Sequence, residues 1–207
     1  LVPAVFMGVD LNSFLQNAIS TEKICKPEIP YGRNPGLVLG SILGEAVLHG
    51  KDKLTIIAEE PYRSFGSWLE QLIAESSGKD GKGIIPVDIE PFSELEVYTK
   101  DRIFVYIKND GVFQPIIDKL LVNGDVVISR NILSPYDLGA EFFLWEFATS
   151  VACSILEVNA FNQPDVQDNK TLTKQKIQEF KDVGTFIESE PFIEFENASV
   201  FCVNDVV

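Results

Sequence analysis

Gln71 and Glu75 stand four residues apart in the text EQLIAESSG, a spacing that puts both side chains on one face of a helix and aims them toward the glycine at position 78. A carboxylate at such a helix end can abstract a proton from carbon when its pKa and distance suit the task. By spacing alone the simpler reading is an exposed helix-end glutamate, because charged residues are mostly exposed. The turn that follows, SSGKDGKG, offers glycines for close backbone approach and two cations, Lys79 and Lys82, in the manner of a phosphate-cradling loop. It is not a P-loop: Gly83 follows Lys82 where a serine or threonine is required, and the turn follows a helix instead of opening one. Taken alone it reads as a solvated connector. Downstream, NAFNQPDVQDNK (Asn159 to Lys170) sets Pro164 in the first turn of a new helix, with Gln163 at its entrance and Lys170 about two turns in. A lone lysine there is most simply solvated.

Other chemistry has few residues to draw on. Cys25, Cys153 and Cys202 lie far apart and form no zinc-ligand spacing, and His49 is the single histidine, so neither a metal site nor a metal cofactor is expected. His49 falls at a helix end, where it should meet terminal carbonyls. Tyr136, Asp137 and Glu141 read as a turn and cap before an apolar helix, and Phe142, Phe143, Trp145 and Phe147 as core.

The elements that must position these residues follow from periodicity. Asn34 to Gly50 reads as a buried helix with Asn34 as cap, Pro35 in the first turn and Gly50 as terminator. Lys53 to Ala58 is a β-branched apolar strand, and Ser64 to Ser76 returns to helical period with Phe65, Trp68, Leu69, Leu72 and Ile73 on one face. Short strands are expected at Ile84 to Val87, Arg102 to Ile107 and Asp125 to Ser129, with helices at Val112 to Leu121 and Leu138 to Val158. Alternation of this kind predicts a parallel sheet covered by helices on both faces, with Ile56, Ile85, Val105 and Val127 on adjacent strands. Leu172 to Asp182 is a polar, Lys-rich surface helix, and after Gly184 the runs FIEF and SVFCV read as short strands of an additional segment.

Of the 207 residues, 45% are hydrophobic and 23% charged, the range of a globular protein with a real core. The net charge of -14 repels nucleic acid and anionic lipid, so nucleic-acid binding is not expected. A phosphorylated ligand requires local amides and cations that overcome this field at short range. No run is expected to span a bilayer, and Leu1 to Val9 lacks the basic start and cleavage pattern of a leader, so a cytoplasmic location with no membrane partner is expected. The apolar beginning and end suggest a piece of a longer chain.

Three segments together resemble the C-terminal half of phosphoglucose isomerase, which is built from two sugar-isomerase (SIS) domains: NPGLVLGSILGEAVL, EQLIAESSGKDGKGIIPV and DLGAEFFLWEFATSVACSILEVNAFNQPDV. The wording is most similar to the isomerase portion of bifunctional transaldolase/phosphoglucose isomerase proteins. The family's catalytic glutamate stands in an E-S-x-G-K context matched by Glu75, Ser76, Gly78 and Lys79, and its phosphate-proximal glutamine matches Gln71. Its second signature, FDQxGVExxK, reads FNQPDVQDNK here, which aligns Gln163 and Lys170 and departs at Asn162, Asp165 and Gln167.

The resemblance implies an SIS-type three-layer sandwich, an α/β fold with a mostly parallel sheet flanked by helices. Residues 1–183 would form the second SIS domain and 184–207 the start of an additional segment. It further implies interconversion of glucose 6-phosphate and fructose 6-phosphate without any cofactor, in a homodimer of the full-length protein. Glu75 would move the proton between C2 and C1, and Lys170 would help open the sugar ring. The family's arginine-bearing GGR segment would lie immediately upstream of Leu1, its phosphate loop belongs to the first SIS domain, and its histidine has no match, so the isolated chain is expected to be inactive. Two other readings stay open: an SIS module that binds a sugar phosphate without catalysis, and an interaction domain whose apolar surfaces bind another chain.

Overall fold

The computed structural model describes residues 2–91, 98–185 and 190–201. By its internal contacts the chain falls into two compact units, Leu1–Asn162 and Gln163–Val207.

The first unit is a three-layer α/β sandwich. Its sheet holds β1 (Lys53–Ala58), β2 (Ile85–Asp88), β3 (Arg102–Lys108) and β4 (Val127–Asn131) in the order β2-β1-β3-β4, every pair parallel. Ile56 pairs with Val105, Ile85 with Lys53 and Val127 with Phe104, so the four residues expected on adjacent strands are there. Alternation along the strands sorts the core into two clusters. Leu54, Ile56, Ile103, Val105 and Ile107 pack on one face against α3 (Pro35–Leu48), α4 (Arg63–Ser77) and α6 (Asp137–Ile155). Ile57, Phe104 and Tyr106 pack on the other against Ile117 and Leu120 of α5 (Gln114–Val122). Apolar contact on both faces is what makes these strands continuous hydrophobic runs.

Local signals set the helix ends. The buried Asn34 side chain accepts from Leu37 N–H at 3.0 Å and donates to the Lys26 carbonyl at 3.3 Å, which fixes the start of α3 as its sequence predicts. Gly50, at φ 77°, ends that helix, and His49 Nδ1 lies 2.8 Å from the Glu45 carbonyl oxygen. The apolar run continues to Val158, yet α6 stops at Ile155: Val158 N–H folds back onto the Cys153 carbonyl at 3.0 Å around Glu157 at φ 59°. This reversal is a Schellman motif without glycine, so composition conceals it.

Two helices precede those the periodicity reading identified, α1 (Val2–Phe6) and α2 (Leu11–Ile24), the second capped by Asp10. Helices α2 and α3 both pack on α6. A stripe of Gly36, Gly40 and Gly44 lets α3 approach so closely that a Cβ at Gly40 would lie 2.5 Å from the Ala148 carbonyl oxygen. Helix α6 is long and apolar enough to span a bilayer by length and composition, contrary to the expectation that no run is. Leu144, Trp145, Ala148 and Ala152 are nonetheless buried in the core, so its apolarity serves packing inside the sandwich.

The second unit begins with α7 (Pro164–Val183), one helix spanning both the Pro164 turn and the polar Leu172 to Asp182 stretch. It ends at Gly184 with φ 79°. The FIEF run supplies β5 (Ile193–Phe195), antiparallel to β6 (Ala198–Val200); Cys202 and Val203 of the SVFCV run lie outside the described residues.

Candidate active site

Helix α4 carries Gln71 and Glu75. It leaves the carboxyl end of β1 and returns to the amino end of β2, so the last turn of α4 lies at the amino-terminal rim of the sheet. Open α/β sheets usually bind ligands at the opposite rim. Both side chains are exposed, and Gln71 Nε2 donates to Glu75 Oε1 at 3.3 Å, as the four-residue spacing implies. A carboxylate that stands in solvent beside a hydrogen-bonding amide is accessible to a substrate and held in one sector of its rotamer space.

The glycine turn after Glu75 is not a solvated connector. Lys79 and Lys82 bracket a two-residue reversal with Asp80 at φ 55° and Gly81 at φ 70°, the signs a type I′ turn demands. Lys79 is buried, and its ammonium donates to the Asn159 carbonyl at 2.5 Å. Lys82 donates to the Leu156 carbonyl at 2.9 Å. Lys82 thus meets the C-cap carbonyl of α6, where carbonyls left without helical partners carry partial negative charge, and Lys79 holds the segment that follows the helix. Cys153 Sγ donates to the Ser76 carbonyl at 3.4 Å, and burial pushes this thiol up from its ordinary pKa, with Lys79 opposing. Ser77 closes the turn by donating to the Ile73 carbonyl at 2.7 Å and accepting from Ile84 N–H at 3.0 Å. The two segments that look like separate signatures in the sequence, ESSGK and EVNAFN, thus form one rim.

Gln163 and Lys170 belong to the second unit. Gln163 is the residue before α7, with its carbonyl accepting from Gln167 N–H at 3.2 Å, and Lys170 is exposed two turns into the helix.

Other charged residues turn out to be structural. Glu141, 3% exposed, receives Arg130 through Nε at 3.1 Å and Nη2 at 2.5 Å and the Trp145 indole at 3.1 Å, which ties α6 to β4 in place of the cap expected of it. Asp137 does cap a turn, accepting from Leu133 N–H at 3.0 Å and Ser134 N–H at 2.9 Å. A cleft at the carboxyl ends of β1 and β2 includes Thr55, Glu60, Arg63, Asp88 and Glu90 in its lining. Three carboxylates against one arginine make it a poor receptor for phosphate, so its depth does not outweigh the chemistry at Glu75. Among the described residues, no group of three or more His, Cys, Asp or Glu side chains is arranged to hold a metal ion.

Sequence reasoning missed one group of unusual chemistry. Glu59, just after β1, is 2% exposed and accepts from the N–H groups of Asn109, Asp110, Gly111 and Phe113 at 2.7 to 3.2 Å and from the Tyr106 hydroxyl. Burial alone would raise its pKa, but these donors outweigh it and bring the carboxyl down to about 2. The only trace in the sequence is an acidic pair, Glu59 and Glu60, directly after an interior strand.

Comparison with known proteins finds relatives among curated isomerases. The chain is 27% identical to a glucose-6-phosphate isomerase of Methanocaldococcus jannaschii, covering 86% of the chain and 54% of that protein. It is 27% identical to a probable glucose-6-phosphate isomerase of Methanococcus maripaludis, covering 92% and 50%. These relatives support a phosphoglucose isomerase family. The chain spans about half the length of the curated isomerases it matches. Among solved structures, a hypothetical protein of Thermus thermophilus superposes with a TM-score of 0.68 at 21% identity, covering 84% of the chain and 52% of that one. A glucose-6-phosphate isomerase of Chlamydia trachomatis superposes with a TM-score of 0.58 at 16% identity, covering 82% and 43%. At these identities the structural likeness concerns the fold alone, an α/β sandwich with a parallel sheet. No family model matches the chain.

Proposed function

We propose that the chain is the catalytic second half of a cytoplasmic aldose-ketose isomerase that interconverts glucose 6-phosphate and fructose 6-phosphate through an enediol(ate). The reading rests on one observation above the others: the Lys79 contact with Asn159 draws the glutamate-bearing end of α4 and the segment leading toward Gln163 onto a single rim. Glu75 is the base that takes a proton from one carbon and returns it to the next, and Lys170 assists opening of the sugar ring. Gln71 and Gln163 contact the substrate. Residues 1–183 act as the second SIS domain of a homodimeric parent, and 184–207 belong to an additional segment.

The developing oxyanion of an enediolate needs a preorganised cation or donor set. Lys79 and Lys82 already serve the end of α6 and the segment that follows it, so that partner comes from outside this rim. The chain by itself therefore carries only part of the machinery. The test couples fructose 6-phosphate conversion to glucose 6-phosphate detection, for this chain and for a parent extended upstream. Turnover by the extended parent and a rate lower by about 10²-fold or more in the chain alone are expected. An extended parent with no isomerase activity would leave a sugar-phosphate-binding module as the better reading.

A further inference from the structure

The strand order β2-β1-β3-β4 makes the gap between β1 and β3 the switch point of the sheet. The connection from β1 runs through α4 to one side, and the connection from β3 runs through α5 to the other. Loops diverge there, and open α/β sheets commonly receive ligands in the resulting crevice. In this chain the loop after β3, Asn109 to Phe113, turns its consecutive N–H groups inward at the start of α5, with Gly111 at φ 84° permitting the reversal. Successive inward N–H groups form a concavity suited to an anion. The concavity is filled. Glu59 reaches it from the other side of the switch point, with Oε2 accepting at 2.8, 2.7 and 2.9 Å from Asn109, Asp110 and Gly111 and Oε1 accepting at 3.2 Å from Phe113. The Tyr106 hydroxyl supplies a fifth donor.

We infer that the loop from Asn109 to Phe113 is an anion-binding site whose resident ligand is the chain's own Glu59 carboxylate, so that the switch-point crevice is closed to phosphate- and carboxylate-bearing small molecules. Five donors converge on one carboxylate, and that carboxylate comes from an element about fifty residues away in the chain. Successive backbone N–H groups turned onto one point and shared by a single carboxylate are the donor set of an anion-binding concavity. The inference stands apart from the isomerase reading, since it concerns the opposite rim from Glu75. It also explains why a phosphorylated ligand would be directed away from the carboxyl ends of these strands.

The experiment uses the full 207-residue chain. Glu59→Ala removes a fragment equivalent to acetate, while Glu59→Gln keeps the site filled. Thermal unfolding is measured in acetate, in inorganic phosphate, and in chloride at matched ionic strength. In Glu59→Ala, acetate or phosphate should raise the midpoint by several degrees more than chloride, in a saturable manner; wild type and Glu59→Gln should show no such excess. An equal response in all three proteins, or no excess in Glu59→Ala with either anion, overturns the inference. If Glu59→Ala does not fold in chloride, refolding yield is read instead: recovery in acetate or phosphate supports the site, and no recovery in either overturns it.

Discussion

The Lys79 ammonium lies 2.5 Å from the main-chain carbonyl oxygen of Asn159, eighty residues later in the chain. This contact fastens the turn after Glu75 to the segment following α6 with a part-buried charge-assisted hydrogen bond. Replacing Lys79 by Met keeps the aliphatic stem and leaves the carbonyl without its donor. A loss of about 2 kcal/mol in urea unfolding of the chain is expected. A change smaller than about 0.5 kcal/mol, the usual size for an unconnected surface site, would show that the contact does not hold the rim.

Glu75→Gln should separate chemistry from folding. The side chain is exposed and its amide replacement can still accept from Gln71, so the melting temperature should stay within a degree or two. In the extended parent, turnover should fall by about 10²- to 10⁴-fold, the usual contribution of a general base. Near-normal turnover removes Glu75 from the mechanism.

Lys170→Ala is expected to leave folding unchanged, because the residue is exposed on α7. Its effect should be larger on ring-closed glucose 6-phosphate than on an open-chain analogue, if ring opening is its task. Equal losses on both substrates would assign it another role.

Glu59 predicts an acid-sensitive component of stability. Its folded pKa, near 2, lies below the ordinary value of 4.5, so its contribution is fully present above about pH 4.5 and is lost as pH falls through about 2. Urea midpoints measured from pH 6 to pH 2 should drop more steeply for wild type than for Glu59→Gln, with the two curves converging at the acid end. Asp101, also held near 2 by Lys53 and Thr99, is common to both proteins and cancels in the comparison. Parallel curves would refute the assignment.

Gly40→Ala tests the approach of α3 to α6. The new methyl carbon would stand 2.5 Å from both the Ala148 carbonyl oxygen and Val151 Cβ, and a backbone atom cannot step aside as a flexible side chain can. A loss of about 2 to 3 kcal/mol is expected in urea unfolding, despite the better helix propensity of alanine. Unchanged stability would mean that the two helices can separate without cost.

Sequence alone determined the features that depend on neighbours along the chain. Apolar runs separated by helical segments specify parallel strands, and the strand period of two sets which residues of Arg102 to Ile107 share a face. Asn34 and Gly50 mark the ends of α3 by backbone chemistry confined to a few residues. The spacing of Gln71 and Glu75 suffices to place them side by side. The cap and periodicity of α2 are equally local, with Asp10 followed by Leu11, Phe14, Leu15 and Ala18.

Tertiary structure decided what depends on partners distant in sequence. Lys79 and Lys82 look like solvated or phosphate-facing cations until the carboxyl end of α6 and the segment after it arrive beside them, and nothing within several residues of either names that partner. Glu59 reads as one of two acidic residues after a strand; its burial depends on the β3 to α5 loop turning its N–H groups inward some fifty positions later. The rim on which Glu75 stands follows from the direction of α4 across a parallel pair, which exists only once β1 and β2 have paired. Periodicity specifies which face of an element is apolar, but a polar group's role depends on the donor or acceptor that folding brings to it.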